Sequence, residues 1–416
     1  MSTVDVAAGS RTSARPPARL ARGVLSNFDI AAATLANIAP AMSFYFGFAT
    51  IVATAGIAAP LTVIAAAVAI ALLGNTLSQF SRSRPSTGSF VTFVGRAFGG
   101  YAAVVTAVVL CTGYIIAVAS VVAISGGFTQ IILNKYLSIN IPWQLLSALL
   151  TLGFPLAVYL FVGWENSAAM AEETADPRAS VGRAIFASVA LVAVVYVFLA
   201  YATVVGFNDK AGALTGANIP FLTAAGGVGS FLLFLADIAG FTSILSSLIS
   251  ATNSQARILF SSGREGLLPS VTARLTERGK TPWVAFLVFL GLGLGLSYVF
   301  GWNTNPVTFF GEIATMGTIL IALTYLVANL ALPVYFRRFH RDRFSPVTHP
   351  VLPPLGAAAI AYPLYELVKP GQPAPFDHYP LIAGGVVVVA VIYGGIMYSR
   401  DRTLGERVGS VVADAD

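Results

Sequence analysis

Asn37-Ile38-Ala39-Pro40-Ala41-Met42-Ser43-Phe44 lies in the middle of an apolar run that extends from about residue 28 to 56. A membrane-spanning helix needs about 20 such residues. Pro40, however, removes a backbone donor, and its ring clashes with the preceding turn. In hydrocarbon an irregular backbone is tolerated only where it is buried in protein or lines a cavity. The stretch therefore reads either as a broken helix that opens onto a binding cavity or as a proline kink with no ligand role.

Runs of the same kind recur outward from it. They fall near 60–80, 100–130, 142–171, 183–206, 230–252, 283–300, 309–335, 351–368 and 380–398, which makes ten spans. The runs are continuous and lack sustained alternation, which points to helices rather than strands. Composition agrees. The chain is 56% hydrophobic and 10% charged, with a mean hydropathy of +0.79, whereas a soluble domain is about 25% charged. The reading is an all-α membrane protein.

Several classes are excluded. The net charge of +6 is spread as short basic clusters between apolar runs, which is not a nucleic-acid footprint. The single cysteine, Cys111, lies inside an apolar stretch, so no disulfide forms within the chain. His340, His349 and His378 have no metal-ligand spacing, and no cofactor is expected. Paired catalytic carboxylates, metal-ligand clusters and nucleotide motifs are absent, which argues against an enzyme and against an ATP-driven pump.

The basic residues set the orientation. With the N-terminus in the cytosol, cytosolic segments hold Arg11, Arg15, Arg19 and Arg22, then Arg82, Arg84 and Arg96, then Arg178 and Arg183. They also hold Arg257, Arg264, Arg274, Arg278 and Lys280, then Arg337, Arg338, Arg341 and Arg343, and finally Arg400, Arg402 and Arg407. Of the 24 Lys and Arg, only Lys135, Lys210 and Lys369 are left outside. The chain divides into a disordered cytosolic tail (1–24), a membrane domain (25–400) and a cytosolic tail (401–416), in a plasma or inner membrane with both ends cytosolic.

A second interruption falls in the fourth span, Phe154-Pro155-Leu156-Ala157-Val158-Tyr159-Leu160-Phe161-Val162-Gly163-Trp164-Glu165-Asn166-Ser167. Gly163 weakens the helix and Glu165 is an intramembrane carboxylate, which marks either a functional site or a structural acceptor for freed amides. Broken helices in two halves of a chain point to a transporter site, because helix N-termini favour anionic groups and freed carbonyls favour cations. Asp237, in the outer half of the span 230–252, is a candidate for binding a substrate amine or a coupling cation; the alternative is a carboxylate reaching the interface or capping a neighbouring helix. Glu312 and Glu366 read as interfacial, and the Arg337–Arg343 cluster as a topology determinant near anionic lipid.

Three stretches are similar to the amino acid–polyamine–organocation (APC) superfamily of permeases, in particular its actinobacterial-type amino acid permeases. They are Gln79 to Phe90; Phe161 to Ala168 with Glu172-Glu173-Thr174-Ala175-Asp176-Pro177-Arg178; and Asn253-Ser254-Gln255-Ala256-Arg257 running on to Gly263-Arg264-Glu265-Gly266-Leu267-Leu268-Pro269. The resemblance covers about residues 25–400. It implies an inverted-repeat helical bundle in which the unwound centres of the first and sixth helices hold the substrate. On this chain those centres are Ala39, Pro40, Ala41, Met42 and Ser43, and Phe161, Val162, Gly163, Trp164 and Glu165, with Tyr159 as a lining or packing aromatic. It further implies a secondary transporter for an amino acid or amine, coupled to H⁺ or Na⁺. A homodimer, or lipid, would fill any open flank.

The family has twelve spans where this chain has ten. Ile141 to Leu150 resembles the start of helix four, and from about Gly153 the chain resembles helix six. The end of helix four, helix five and the loop before helix six are missing by this comparison. Helices four and six run the same way, so the topology downstream is preserved. Residues 142–170 as one helix would measure about 44 Å at about 1.5 Å per residue, so the start of this segment is expected to project outside or lie along the interface. A non-transporting binding or sensor homologue is the competing expectation.

Overall fold

The computed structural model describes Leu20, Gly23 and residues 25–152, 166–208, 210–277 and 279–411. Most of the expected tail over 1–24 lies outside these residues.

Two helices stand where the first apolar run was read, α1 (Asn27–Ile38) and α2 (Pro40–Ala55). α1 opens on a capping box: the Asp29 N–H donates to the Ser26 hydroxyl, and the Ser26 N–H donates to the Asp29 carboxylate at 2.8 Å. Such reciprocal bonds satisfy donors that a helix start leaves free. α1 closes at Ala39, whose φ of 47° and ψ of 67° are left-handed, a conformation costing a non-glycine residue about 1 kcal/mol. Pro40 then suits the first position of α2, since its missing N–H would have had no partner there.

The chain continues through α3 (Ala59–Ser83), α4 (Ser89–Phe98), α5 (Gly100–Leu137) and α6 (Trp143–Leu152). After residues 153–165, which are not among those described, come α7 (Asn166–Ala169), α8 (Pro177–Gly206), α9 (Ala211–Thr215), α10 (Pro220–Val228) and α11 (Ser230–Arg264). The last are α12 (Trp283–Gly301), α13 (Pro306–Phe339), α14 (Leu352–Val368), α15 (Tyr379–Arg400) and α16 (Leu404–Arg407). Among the described residues there is no strand, only an isolated bridge between Leu25 and Thr174.

Among the described residues, eight helical segments are long and apolar enough to cross a membrane. They fall at eight of the ten expected spans. α14, an apolar helix of 17 residues, stands at the ninth position, and the fourth span runs over residues 153–165, outside those described. The protein is thus a multi-pass helical membrane protein. α5 forms its axis and packs against α4, α6, α11, α12, α13 and α15. The outward faces of α3, α8, α12 and α15 present exposed apolar side chains such as Val68, Val194, Leu287 and Val389, as a lipid-facing surface requires.

α6 stands at the start of the fourth expected span. It folds back along α5, with Trp143, Leu146 and Ser147 buried and the Ser147 hydroxyl donating to the Val122 carbonyl at 3.0 Å. Gly126 makes this possible: a Cβ there would stand 2.1 Å from the Trp143 carbonyl oxygen. Small residues let membrane helices approach to this distance.

Both ends of the described chain meet on one face. The Leu25 N–H donates to the Glu173 carbonyl at 2.9 Å. The expected C-terminal tail is docked over its described part, with Leu404, Val408 and Val411 buried.

Candidate functional site

The break between α1 and α2 frees the last carbonyls of one helix and the first amides of the other. Most of these groups have identifiable partners. The Ala39 N–H donates to the Leu35 carbonyl at 3.1 Å, and the Ser43 hydroxyl folds back onto the Ile38 carbonyl at 2.6 Å. The remaining partners come from α11. Ser246 donates to the Ala36 carbonyl at 3.3 Å and Ser247 to the Asn37 carbonyl at 3.5 Å. In the opposite sense, the Met42 N–H donates to the Ser243 hydroxyl at 3.1 Å. Ser243, Ser246 and Ser247 lie three and four positions apart, the spacing that places residues on one helical face.

Close approach of α11 depends on Gly240. A Cβ there would stand 2.7 Å from the Tyr45 ring and 2.9 Å from the Phe128 ring. Tyr45 also ties α2 to α11 by donating its hydroxyl to the Ala236 carbonyl at 2.8 Å. Aromatic side chains pack around the start of α2. Phe44 stacks on Phe48 at 4.6 Å and meets Tyr196 of α8 at 5.8 Å and Phe221 of α10 at 5.9 Å. Tyr196 places its buried hydroxyl beside Ser43. A cavity of about 290 Å³ adjoins this region, bordered by Ile38, Ile51, Val63, Val189 and Tyr196.

Of the expected site residues, Ala39, Pro40, Ala41, Met42 and Ser43 are thus brought to a real helix break. Tyr159, Phe161, Val162, Gly163, Trp164 and Glu165 lie outside the described residues. The chain resumes at α7, which packs against α1 and α11, so the exit of the second interrupted segment lies next to the first.

Asp237 is buried and already engaged. Lys135 of α5 pairs with it at 2.5 Å, and the Tyr136 hydroxyl donates to it at 2.6 Å. A cavity of about 590 Å³ with a mixed lining adjoins Lys135, bordered by Asn218, Thr223, Asn305 and Thr308 and by Ile219 and Leu222. Glu366 pairs with Lys369 at 2.5 Å.

On the face that holds the chain ends, carboxylates and guanidinium groups interlock. Arg264 binds Glu172 through two bonds, 2.6 and 3.0 Å. Arg257 pairs with Glu173 at 2.7 Å and donates to the Asn253 carbonyl at 2.8 Å. The Gly409 N–H donates to Glu265 at 2.9 Å, while its carbonyl accepts from Arg84 at 2.9 Å. Burial pushes the Glu265 carboxyl up to about 7, against the smaller opposing effects of Arg264 and the Gly409 amide. The ion pairs and the bonds to Gly409 join residues 84 to 325 positions apart and were not foreseen from sequence. The only available signal was that acidic and basic residues flank the same apolar runs.

The family model described as "Amino acid permease" matches residues 142–394. The Asc-type amino acid transporter 1 of Mus musculus is 31% identical over 144 residues, 34% of this chain and 26% of that protein. The large neutral amino acids transporter small subunit 2 of Homo sapiens is 30% identical over 139 residues, 33% of this chain and 26% of that one. The branched-chain amino acid permease BcaP of Bacillus subtilis (strain 168) is 22% identical over 218 residues, 52% of this chain and 44% of that one. The chain therefore spans about a quarter of the length of the first two relatives and under half of the third.

Proposed function

Because the chain belongs to the amino acid permease family, we propose that it moves an amino acid or a related amine across the membrane by alternating access at the break between α1 and α2. The observation that carries this reading is the left-handed Ala39 between two helices. The start of α2 favours a carboxylate and the end of α1 favours an ammonium group, because helix dipoles put partial positive charge at N-termini and negative charge at C-termini. A zwitterionic amino acid matches both. The serines of α11 hold the freed backbone groups and can give way to substrate groups of the same hydrogen-bonding kind. Phe161 to Glu165, with Tyr159, are proposed as the second wall of the site.

Coupling to H⁺ or Na⁺ and residence in a plasma or inner membrane with cytosolic ends complete the proposal. The meeting of Leu25, Glu173 and Gly409 with Arg84 and Arg264 on one face supports ends on the same, basic side.

One feature favours a second reading, a homologue that binds without transporting. Between α6 and α7 stand residues 153–165, about 20 Å if helical. That length does not accommodate an extra pair of crossings, so a scaffold helix of the twelve-span pattern is proposed to be missing. Uptake of labelled amino acids into liposomes under an imposed H⁺ or Na⁺ gradient separates the readings. Accumulation against the gradient is expected. Binding without uptake across a panel of amino acids and amines would leave only the second.

A further inference from the structure

A cavity of about 600 Å³ lies between α5, α12, α13 and α15, apart from the break. Its volume is that of a small-molecule site, yet its lining is unlike one for a polar solute. Leu292, Leu296, Ile313, Met316 and Val386 are apolar, and the single charged group is Glu312. Among the described residues Glu312 has no salt bridge, although Glu172, Glu173, Asp237 and Glu366 all do.

Depth follows from the helix ends. Glu312 is six residues into α13, and Tyr379 begins α15. Both therefore lie within about 9 Å of the ends opposite the face of Leu25 and Gly409. Leu292 is nine residues from the end of α12, about 14 Å deep. The cavity thus runs from the interface to about the middle of a hydrocarbon core about 30 Å thick. It has the length of one leaflet, with its carboxylate at the headgroup level.

We propose that this cavity binds a membrane lipid whose head carries a primary ammonium group, an aminophospholipid of the leaflet opposite the chain ends. One acyl chain lies along Leu292, Leu296 and Met316, and the ammonium group pairs with Glu312. A carboxylate facing a lipid-filled slot repels anionic heads and discriminates against a quaternary ammonium, which has no N–H to donate. Met316, long and unbranched, adapts to a mobile chain.

The test uses the full-length protein in detergent, with native mass spectrometry after addition of phosphatidylethanolamine, phosphatidylcholine or phosphatidylglycerol of identical acyl chains. Wild type is expected to retain phosphatidylethanolamine over the other two by up to about fivefold, the ratio that one partly exposed ion pair supports. Glu312→Gln should abolish the preference while leaving the amount of bound lipid similar. Met316→Trp, which keeps the carboxylate and fills the slot, should lower retention of all three. Equal retention of the three lipids by wild type, a preference for phosphatidylglycerol, or an unchanged preference in Glu312→Gln would overturn the proposal. Loss of lipid accompanied by dimerisation would overturn it in favour of a second copy covering the slot.

Discussion

Arg264, in the last turn of α11, grips Glu172 through two parallel hydrogen bonds, and each side chain is only 3% exposed. The pair joins the segment after α7 to the end of the helix that supports the break. Removing one member of a buried pair leaves the other charge uncompensated, at about 3 kcal/mol or more. Glu172→Gln is therefore expected to lower the melting temperature in detergent sharply. Arg264→Lys should do so too, because an ammonium group lacks the planar fork that matches both carboxylate oxygens. A melt of Arg264→Lys that overlays wild type would contradict this account.

Ser243 accepts the Met42 N–H at the first turn of α2. Ser243→Ala leaves that amide without this partner, at a cost of about 1–3 kcal/mol. Where a substrate group displaces Ser243 from that amide, the cost falls on the empty site alone, so substrate binding should tighten, about tenfold in Kd, with insertion into the membrane intact. Thr242→Ala is the control, since Thr242 is exposed and bonds only to carbonyls of its own helix. Equilibrium binding of a labelled amino acid to both variants decides it; equal Kd values in the two, or weaker binding by Ser243→Ala, would detach Ser243 from the site.

The contrast between Pro40 and Ser243 shows what can be read from sequence. Pro40 breaks a helix by its own covalent structure, so the break is legible locally, and so are the apolar runs and their basic flanks. Ser243, Ser246 and Ser247 lie in α11, about 200 positions away, among other serines and threonines of the same helix. Nothing in their neighbourhood says that this face meets α1. Asp237 was legible as an intramembrane carboxylate, but Lys135, its partner, was legible only as one of three basic residues outside the cytosolic set. The seat of α6 on α5 was hidden for a related reason: Gly126 lets the two backbones approach closely, and nothing near Gly126 says which helix it faces.

Asp237 and Lys135 form a pair in which the lysine is about one third exposed, so their link is worth about 1 kcal/mol after solvent screening. If the pair is structural, Asp237→Asn should destabilise the protein, and adding Lys135→Gln should recover most of the loss. Ion-gradient-driven uptake should persist in the double variant. Recovery of stability with uptake no longer responding to the gradient would instead assign Asp237 to coupling. The comparison needs both readouts, because loss of uptake in Asp237→Asn alone fits either role.

Glu265 supplies the expected pH dependence. Its ordinary value is 4.5, and burial raises it to about 7 in the fold. The folded state thus holds a proton that the unfolded chain has released across the interval between those values. Stability contributed by the protonated carboxyl is complete below about pH 4.5 and is lost as pH rises toward about 7, by up to about 3 kcal/mol. Glu265→Gln keeps an acceptor for the Gly409 amide and cannot ionise. Its melting temperature should therefore match wild type near pH 5 and exceed it near pH 8. Taking the difference between the two proteins cancels the titration of His340 and His349, which burial moves in the opposite sense. A difference that stays constant from pH 5 to pH 8 would show that the Glu265 carboxyl keeps its ordinary acidity in the fold.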